Sequence, residues 1–267
     1  MKKFMALLLV AGMTLSLTAC GGSTDTAKTD QADGKDTFTV GFDQDFPPFG
    51  YVGDDGEFTG FDIEMATECA ARMGKKIVLQ PIDWDAKDME LEAGTIDCIW
   101  NGFTMNGRED QYTWTDPYMD NSQVVVVKKD SGINTLADLA GKVVEVQKES
   151  AAETALNDEE HADLMASFAQ LLSVGEYNTA FMDLESGAVD AVAIDIGVAQ
   201  FQIEGKEDQY QILDETISSE QYAVGFFLGN TALRDEVQST LLEMVEDSTF
   251  AEISNQYFGY DVCTLGK

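Results

Sequence analysis

Residues 91–100, LEAGTIDCIW, and residues 184–193, LESGAVDAVA, share Leu, Glu, Gly and Asp at equal spacing, with Ile or Val in matching slots. Each reads as a helix end, a glycine stop and a buried strand. Glycine accepts the left-handed turn that closes a helix, and a short apolar run bounded by turn residues follows it. One αβ junction written twice predicts two lobes of similar build.

The flanking sequence extends this α/β pattern. TFTVGFD, residues 37–43, reads as a strand. FDIEMATECAARMG, residues 61–74, sets Phe61, Met65, Cys69 and Met73 four apart with Ala66 and Ala70 beside them. This predicts an amphipathic helix, capped near Asp62 and stopped at Gly74, before a second strand at KIVLQ, residues 76–80. SQVVVVKKD (122–130) and EQYAVGFFLGN (220–230) are extended runs long enough to carry the chain between lobes and back. The helical patterns at 231–248 and 250–259 then pack on the first lobe. The expected organisation is lobe 1 over 37–125, lobe 2 over 126–221, and a return to lobe 1 over 222–267.

The N-terminus carries Lys2 and Lys3, an apolar run from Phe4 to Leu17, and LTAC ending at Cys20. This is a positive n-region, a short h-region and a small-residue cleavage site, so residues 1–19 read as a signal peptide. LTAC resembles the bacterial lipobox, which implies that Cys20 is lipidated and begins the mature chain. Several acyl tails suffice for stable anchoring where one is marginal. An ordinary secreted protein cut near Cys20 is the alternative. Residues 21–36, GGSTDTAKTDQADGKD, hold no bulky apolar residue and read as a flexible tether, about 22 Å r.m.s. for a random coil of that length. Residues 20–36 thus form the lipidated end and tether, and the localisation implied is extracytoplasmic, at the bacterial cell membrane.

With 49 acidic residues against 16 basic ones the formal charge is −33; removing the leader with its two lysines takes it to −35. Such a surface repels nucleic acid and anionic lipid, so contact with the membrane is expected through the lipid anchor only. Three cysteines remain after Cys20, an odd number without paired spacing: Cys69 and Cys98 in apolar segments, and Cys263, for which a bridge to one of them stays open. The lone histidine, His161, lies in the acidic stretch NDEEHADL and reads as a solvated loop. No metal or cofactor motif is present.

Ligands of open α/β sheets bind beyond the carboxyl ends of strands. Four such ends stand out: Asp43, residues 101–104, residues 147–150, and Asp195. Only three arginines occur, and Arg108 follows the second of these ends by a short loop. A guanidinium there can hold a carboxylate through two parallel hydrogen bonds, with backbone amides of residues 102–104 and the Thr104 hydroxyl completing the cage. A surface ion pair with Glu109, Asp110 or Asp116 is the other reading of Arg108. Asp195, in the opposite lobe, is a counter-charge for an ammonium or an N-cap of the next helix. Carboxylate grip and ammonium acceptor together describe an α-amino acid. Phe46 and Trp84, both in apparent loops, either sandwich the ligand side chain or pack within their lobe.

GFDQDFPPFGY, GEFTGFDIEMA, WNGFTMNGRED, YTWTDPY and LESGAVDAVAID, in this order from Thr37 onward, resemble the polar amino-acid substrate-binding proteins of ABC transporters, bacterial solute-binding family 3. The resemblance implies a two-lobed, periplasmic-binding-protein-like (type II) clamshell with two crossover strands, monomeric and without cofactor, that hands a free amino acid to a permease. By the same resemblance Arg108 takes the α-carboxylate with Thr104 and Ser150, and Asp195 takes the α-ammonium with the Gly102 backbone. Asp43, Phe46, Trp84, Asn101 and Gln147 would line the side-chain pocket. Two departures are visible. The loop from Thr104 to Arg108 is one residue shorter than is common in the family, and QKESAAE leaves Ser150 as the only hydroxyl, so Ala151 and Ala152 would contribute backbone N–H groups. The acidic edge at Asp43 with the two aromatics favours a polar or cationic side chain. A dehydratase-like enzyme on the same fold and an amino-acid-sensing lipoprotein are the rival functions.

Overall fold

The computed structural model describes residues 36–267; the stretch read as signal peptide, Cys20 and the stretch read as tether, to residue 35, lie outside the described residues. β1 (Thr37–Phe42) alternates half-buried threonines with buried Phe38, Val40 and Phe42. A meander of short strands follows: β2 (Asp45–Phe46), β3 (Gly50–Val52) and β4 (Phe58–Thr59). α1 (Phe61–Arg72) buries Phe61, Ile63, Met65, Ala66, Cys69 and Ala70 along one face, as its spacing predicts. Asp62 does not cap it. The helix begins after Gly60, and Asp62 is fully buried in the first turn. β5 (Lys76–Pro81) runs parallel to β1, and a 3-10 turn at Trp84–Ala86 leads into α2 (Lys87–Ala93). α2 stops on Gly94 at φ 72°, and β6 (Cys98–Ile99) pairs parallel to β1.

After β7 (Thr113–Trp114), the long β8 (Met119–Lys128) leaves this sheet and becomes part of another. There follow β9 (Val143–Gln147), α3 (Ala151–Asn157), α4 (Ala162–Ser167), β10 (Gln170–Val174), α5 (Tyr177–Ser186), β11 (Ala191–Asp195), α6 (Ile196–Ile203) and β12 (Tyr210–Ile212). The second sheet has the order β10-β9-β11-β8-β12. α5 ends on Gly187 at φ 79°, with the same pair of carbonyl acceptors for the capping N–H groups that α2 has at Gly94. The duplicated sequence is thus a duplicated joint.

β13 (Ser218–Tyr222) returns antiparallel to β8, from Ser218 opposite Gln123 to Tyr222 opposite Met119. β14 (Gly225–Phe226) then inserts between β6 and β7, giving the first sheet the order β5-β1-β6-β14-β7. Over Asp120–Ser122 the strand β8 pairs only with β13, while Met119 also bridges to Cys263, so a two-stranded ribbon joins the sheets. α7 (Thr231–Glu246) and α8 (Thr249–Phe258) lie on α1. Ion pairs Lys75–Glu236 at 2.8 Å and Arg72–Asp247 at 2.7 Å, with the rings of Phe61 and Phe250 5.7 Å apart, fix them there. Cys69, Cys98 and Cys263 are free and buried. His161 ends a 3-10 turn rather than lying in an open loop, its Nδ1 3.0 Å from the Ala155 carbonyl. No helix among the described residues is long and apolar enough to cross a membrane.

Candidate functional site

Asp43, Phe46, Trp84, Asn101, Gly102, Thr104, Arg108, Gln147, Ser150 and Asp195 all border one small cleft, with Ala151. The first seven come from the end of β1, from β2, from the 3-10 turn and from the loop after β6. The others come from the end of β9, the head of α3 and the end of β11. The cavity therefore lies between the two sheets, at the carboxyl ends of their parallel strands.

Phe46 and Trp84 differ from expectation in local structure. Phe46 belongs to β2, its ring 5.6 Å from Phe49 and 6.0 Å from Tyr177. Trp84 opens the 3-10 turn with its ring perpendicular to that of Phe103 at 5.5 Å. Both are buried.

Arg108 makes no ion pair with Glu109, Asp110 or Asp116. Its Nη1 donates to the Thr104 carbonyl at 3.2 Å and its Nη2 to the Glu149 carbonyl at 3.3 Å, while the guanidinium carbon lies 5.5 Å from the Phe103 ring. A turn with the Arg108 N–H on the Met105 carbonyl, 2.9 Å, brings the shortened loop back toward the cavity. Facing it, Ser150 is the N-cap of α3, its Oγ accepting the Glu153 N–H at 3.1 Å. The Ala151 and Ala152 N–H groups stand in the first turn, where no intrahelical acceptor exists. Cation and free amides together make a site for an anionic group.

Glu149 is, among the described residues, one of two non-glycine residues with positive φ, 61°. This left-handed backbone costs about 1–2 kcal/mol, and it turns the Glu149 carbonyl onto both Arg108 and the Trp84 Nε1, each at 3.3 Å. Its carboxylate lies 3.4 Å from the buried Lys87 ammonium. Further contacts join the two sides: Gln147 Nε2 donates to Asp43 Oδ2 at 2.6 Å, Asn178 Nδ2 to Asp45 Oδ1 at 2.8 Å, and Lys148 pairs with Asp85 at 2.7 Å. The lobes are closed on each other.

Asp195 occupies the N-cap position of α6, yet its side chain caps nothing. Oδ1 instead accepts from Asn121 Nδ2 at 2.8 Å, Gln123 Nε2 at 2.7 Å and Tyr222 Oη at 2.5 Å. Burial, then the neighbouring Glu220, push its carboxyl well above the usual range. Asp43 is likewise raised, to about 6, by burial, against the opposing hydrogen bonds from the Asp45 N–H and Gln147. Both acids gain if a cation reaches them.

Asn121, Gln123, Glu149 and Glu220 are not among the residues the sequence names for this cavity, and Asp62 is read only as a helix cap, although each organises it. A signal existed for three of them. In β8, Met119, Asn121, Gln123 and Val125 point to one face, and in β13 Glu220 shares a face with Tyr222. Polar residues in the inward slots of strands mark polar business inside. Glu149 left no signal, because a positive φ at a glutamate is dictated by the contacts around it.

Residues 38–260 match the bacterial extracellular solute-binding proteins, family 3. The chain belongs to this family. Among its relatives, the L-cystine-binding protein TcyJ of Escherichia coli (strain K12) is 30% identical over 97% of this chain and 94% of its own. The arginine-binding extracellular protein ArtP of Bacillus subtilis (strain 168) is 28% identical over 97% and 98%. A substrate-binding protein of an ABC uptake transporter from Streptococcus pneumoniae, crystallised with histidine, superposes with a TM-score of 0.82 at 34% identity, covering 86% of this chain and 95% of that one. The two-lobed clamshell of family 3 is the fold observed here.

Proposed function

We propose that the chain is an extracytoplasmic, lipid-anchored receptor that closes its two lobes on a free polar amino acid and delivers it to the permease of an ABC importer. One observation carries the reading: the cation of Arg108 and the anion of Asp195, from different lobes, border the same cavity. Arg108 holds the α-carboxylate with Thr104, Ser150 and the first amides of α3. Asp195, with the Gly102 backbone, receives the α-ammonium. Asp43, Phe46, Trp84, Asn101 and Gln147 surround the side chain. Relatives that bind L-cystine, arginine and histidine share this zwitterionic end and differ beyond it.

The ribbon of β8 and β13 is the hinge, with the division between lobes near residues 126 and 221. Ligand contacts made only in the closed form drive closure. The protein acts as a monomer, needs no cofactor and breaks no bond in its ligand.

A thermal-shift panel of the free amino acids tests the proposal. A ligand at 100 times its dissociation constant adds about 2.7 kcal/mol of stability. Stabilisation by one or a few polar or basic amino acids is the expected result. No shift with any of them overturns amino-acid binding, and a shift with glutamate or aspartate alone overturns the side-chain assignment. Turnover of a stabilising ligand on prolonged incubation would favour the dehydratase-like reading instead.

A further inference from the structure

The carboxylates of Asp195 and Glu220 are buried side by side and bridged by the same two amides. Asn121 Nδ2 donates to Asp195 Oδ1 at 2.8 Å and to Glu220 Oε1 at 2.7 Å; Gln123 Nε2 donates to the same two oxygens at 2.7 Å each. The ladder dictates this square, since Gln123 lies opposite Asp195 in the pairing of β8 with β11, and Asn121 lies opposite Glu220 in the pairing of β8 with β13. Thr104 Oγ1 adds a donor to Glu220 at 2.8 Å, and Tyr222 Oη one to Asp195.

The donors are all neutral. Among the described residues no lysine, arginine or histidine is ion-paired with either acid. The titratable groups facing the pair are Tyr222 of β13 and Tyr177 of α5, both phenols kept un-ionised by burial and then by the nearby acids. Arg108 lies beyond Thr104, its guanidinium directed to the Thr104 and Glu149 carbonyls. Two full negative charges on neighbouring oxygens, out of water and without a cation, repel more strongly than dipoles alone can offset.

We infer that Asp195 and Glu220 share one proton when the cleft is empty, and that the ligand's ammonium displaces it, so that binding releases a proton. Glu220 is then a positioning residue: it holds Thr104 and the two bridging amides and leaves the subsite one positive charge short. The inference rests on the ammonium reading of Asp195 given above. The raised affinity of the Asp195 carboxyl for protons, caused by burial and then by Glu220, agrees with it.

Isothermal titration of the purified chain at pH 7 with L-arginine, L-histidine and L-glutamine in turn, in phosphate and in Tris, tests this. The two buffers differ in ionisation enthalpy, so proton release appears as a difference in apparent binding heat. The expected result is such a difference for any of the three that binds, and a smaller release per ligand bound in Glu220→Gln, where burial alone still raises Asp195. Equal heats in both buffers for the unsubstituted protein overturn the inference, and so does a release unchanged in Glu220→Gln. Binding heat absent with all three, and with the remaining amino acids, overturns the amino-acid reading and this inference with it. Should Glu220→Gln fail to fold, the affinity between pH 5 and pH 8 decides, measured on the unsubstituted protein and again on Asp43→Asn and Asp62→Asn, which remove two further acids raised by burial. Tightening by up to about tenfold per pH unit is expected where one proton is displaced; a flat profile overturns the inference.

Discussion

The Gly102 N–H donates to the Asp62 carboxylate at 2.5 Å, joining the head of α1 to the loop after β6. Tyr118 Oη donates to the other oxygen at 2.9 Å. Gly102 itself sits at φ 56°, and a Cβ there would meet Phe46 at 3.0 Å and Tyr222 at 3.1 Å, so the glycine is required and its orientation is set by a buried acid. Burial raises the Asp62 carboxyl to about 7, despite these two hydrogen bonds.

A pH dependence follows. With its folded value near 7 and an unfolded value of about 3.9, Asp62 binds more protons folded than unfolded in the interval between them. Stability contributed by the protonated acid is complete below the unfolded value and is lost as pH rises through the folded one, at up to about 1.4 kcal/mol per pH unit. Asp43, raised to about 6, has the same sign. The ligand-free protein should melt higher at pH 5 than at pH 8. Asp62→Asn keeps an oxygen for the Gly102 N–H and an N–H for Tyr118, so it should fold and flatten the profile. An unaltered slope in that variant would remove Asp62 as the source.

A second prediction concerns Gly197, near the start of α6. Its Cβ would lie 3.1 Å from Phe49, which belongs to the other lobe, and nothing else is within reach. Gly197→Ala gains about 0.5–1 kcal/mol of helix stability, but its methyl opposes closure. Melting temperature without ligand should hold or rise while affinity for the amino acid weakens several-fold, measured by calorimetry on one preparation. Unweakened affinity would mean that Phe49 yields freely.

Sequence legibility divides along physical lines. The paired junctions at Gly94 and Gly187 and the face of α1 are local patterns, and the structure shows them in place; the run 122–130 lies mostly inside the second sheet, and the joining ribbon starts before it. Asp43, Asn101, Gln147 and Asp195 stood at strand ends, where period and turn chemistry announce them, whereas Phe46, Trp84 and Arg108 were drawn from loops. Asp62 was misread as a cap, since an aspartate at a helix start commonly is one; its carboxylate is taken by Gly102, a partner that only tertiary packing supplies. The Asp195–Glu220 square needed the register of three strands, β11, β8 and β13, which no single stretch of sequence carries.

Arg108→Ala removes the only arginine of the cavity. Truncating one side of a desolvated charge pair costs about 2–5 kcal/mol, roughly 30-fold to several-thousand-fold in affinity. The fold should persist, because the lost bonds are to two carbonyls at the edge of the cleft. Arg108→Lys keeps the charge without the fork and should recover only part of the loss. Affinity unchanged in Arg108→Ala would detach the guanidinium from ligand binding.

Asp43 and Gln147 bear on the ligand's side chain. Gln147 Nε2 spends both hydrogens, one on Asp43 Oδ2 at 2.6 Å and one on the Gly175 carbonyl at 2.9 Å. It has no N–H left for a ligand, whereas Asp43, bordering the cavity with a carboxyl near 6, is anionic at pH 7.5 and can accept more. A cationic side chain reaching Asp43 would gain a charge-assisted hydrogen bond of about 1.5–3 kcal/mol. Asp43→Asn should therefore weaken arginine or lysine by roughly 10-fold to 150-fold and neutral amino acids by much less. An equal loss for both classes would assign Asp43 to closure, through its bond to Gln147, and take side-chain selection away from it.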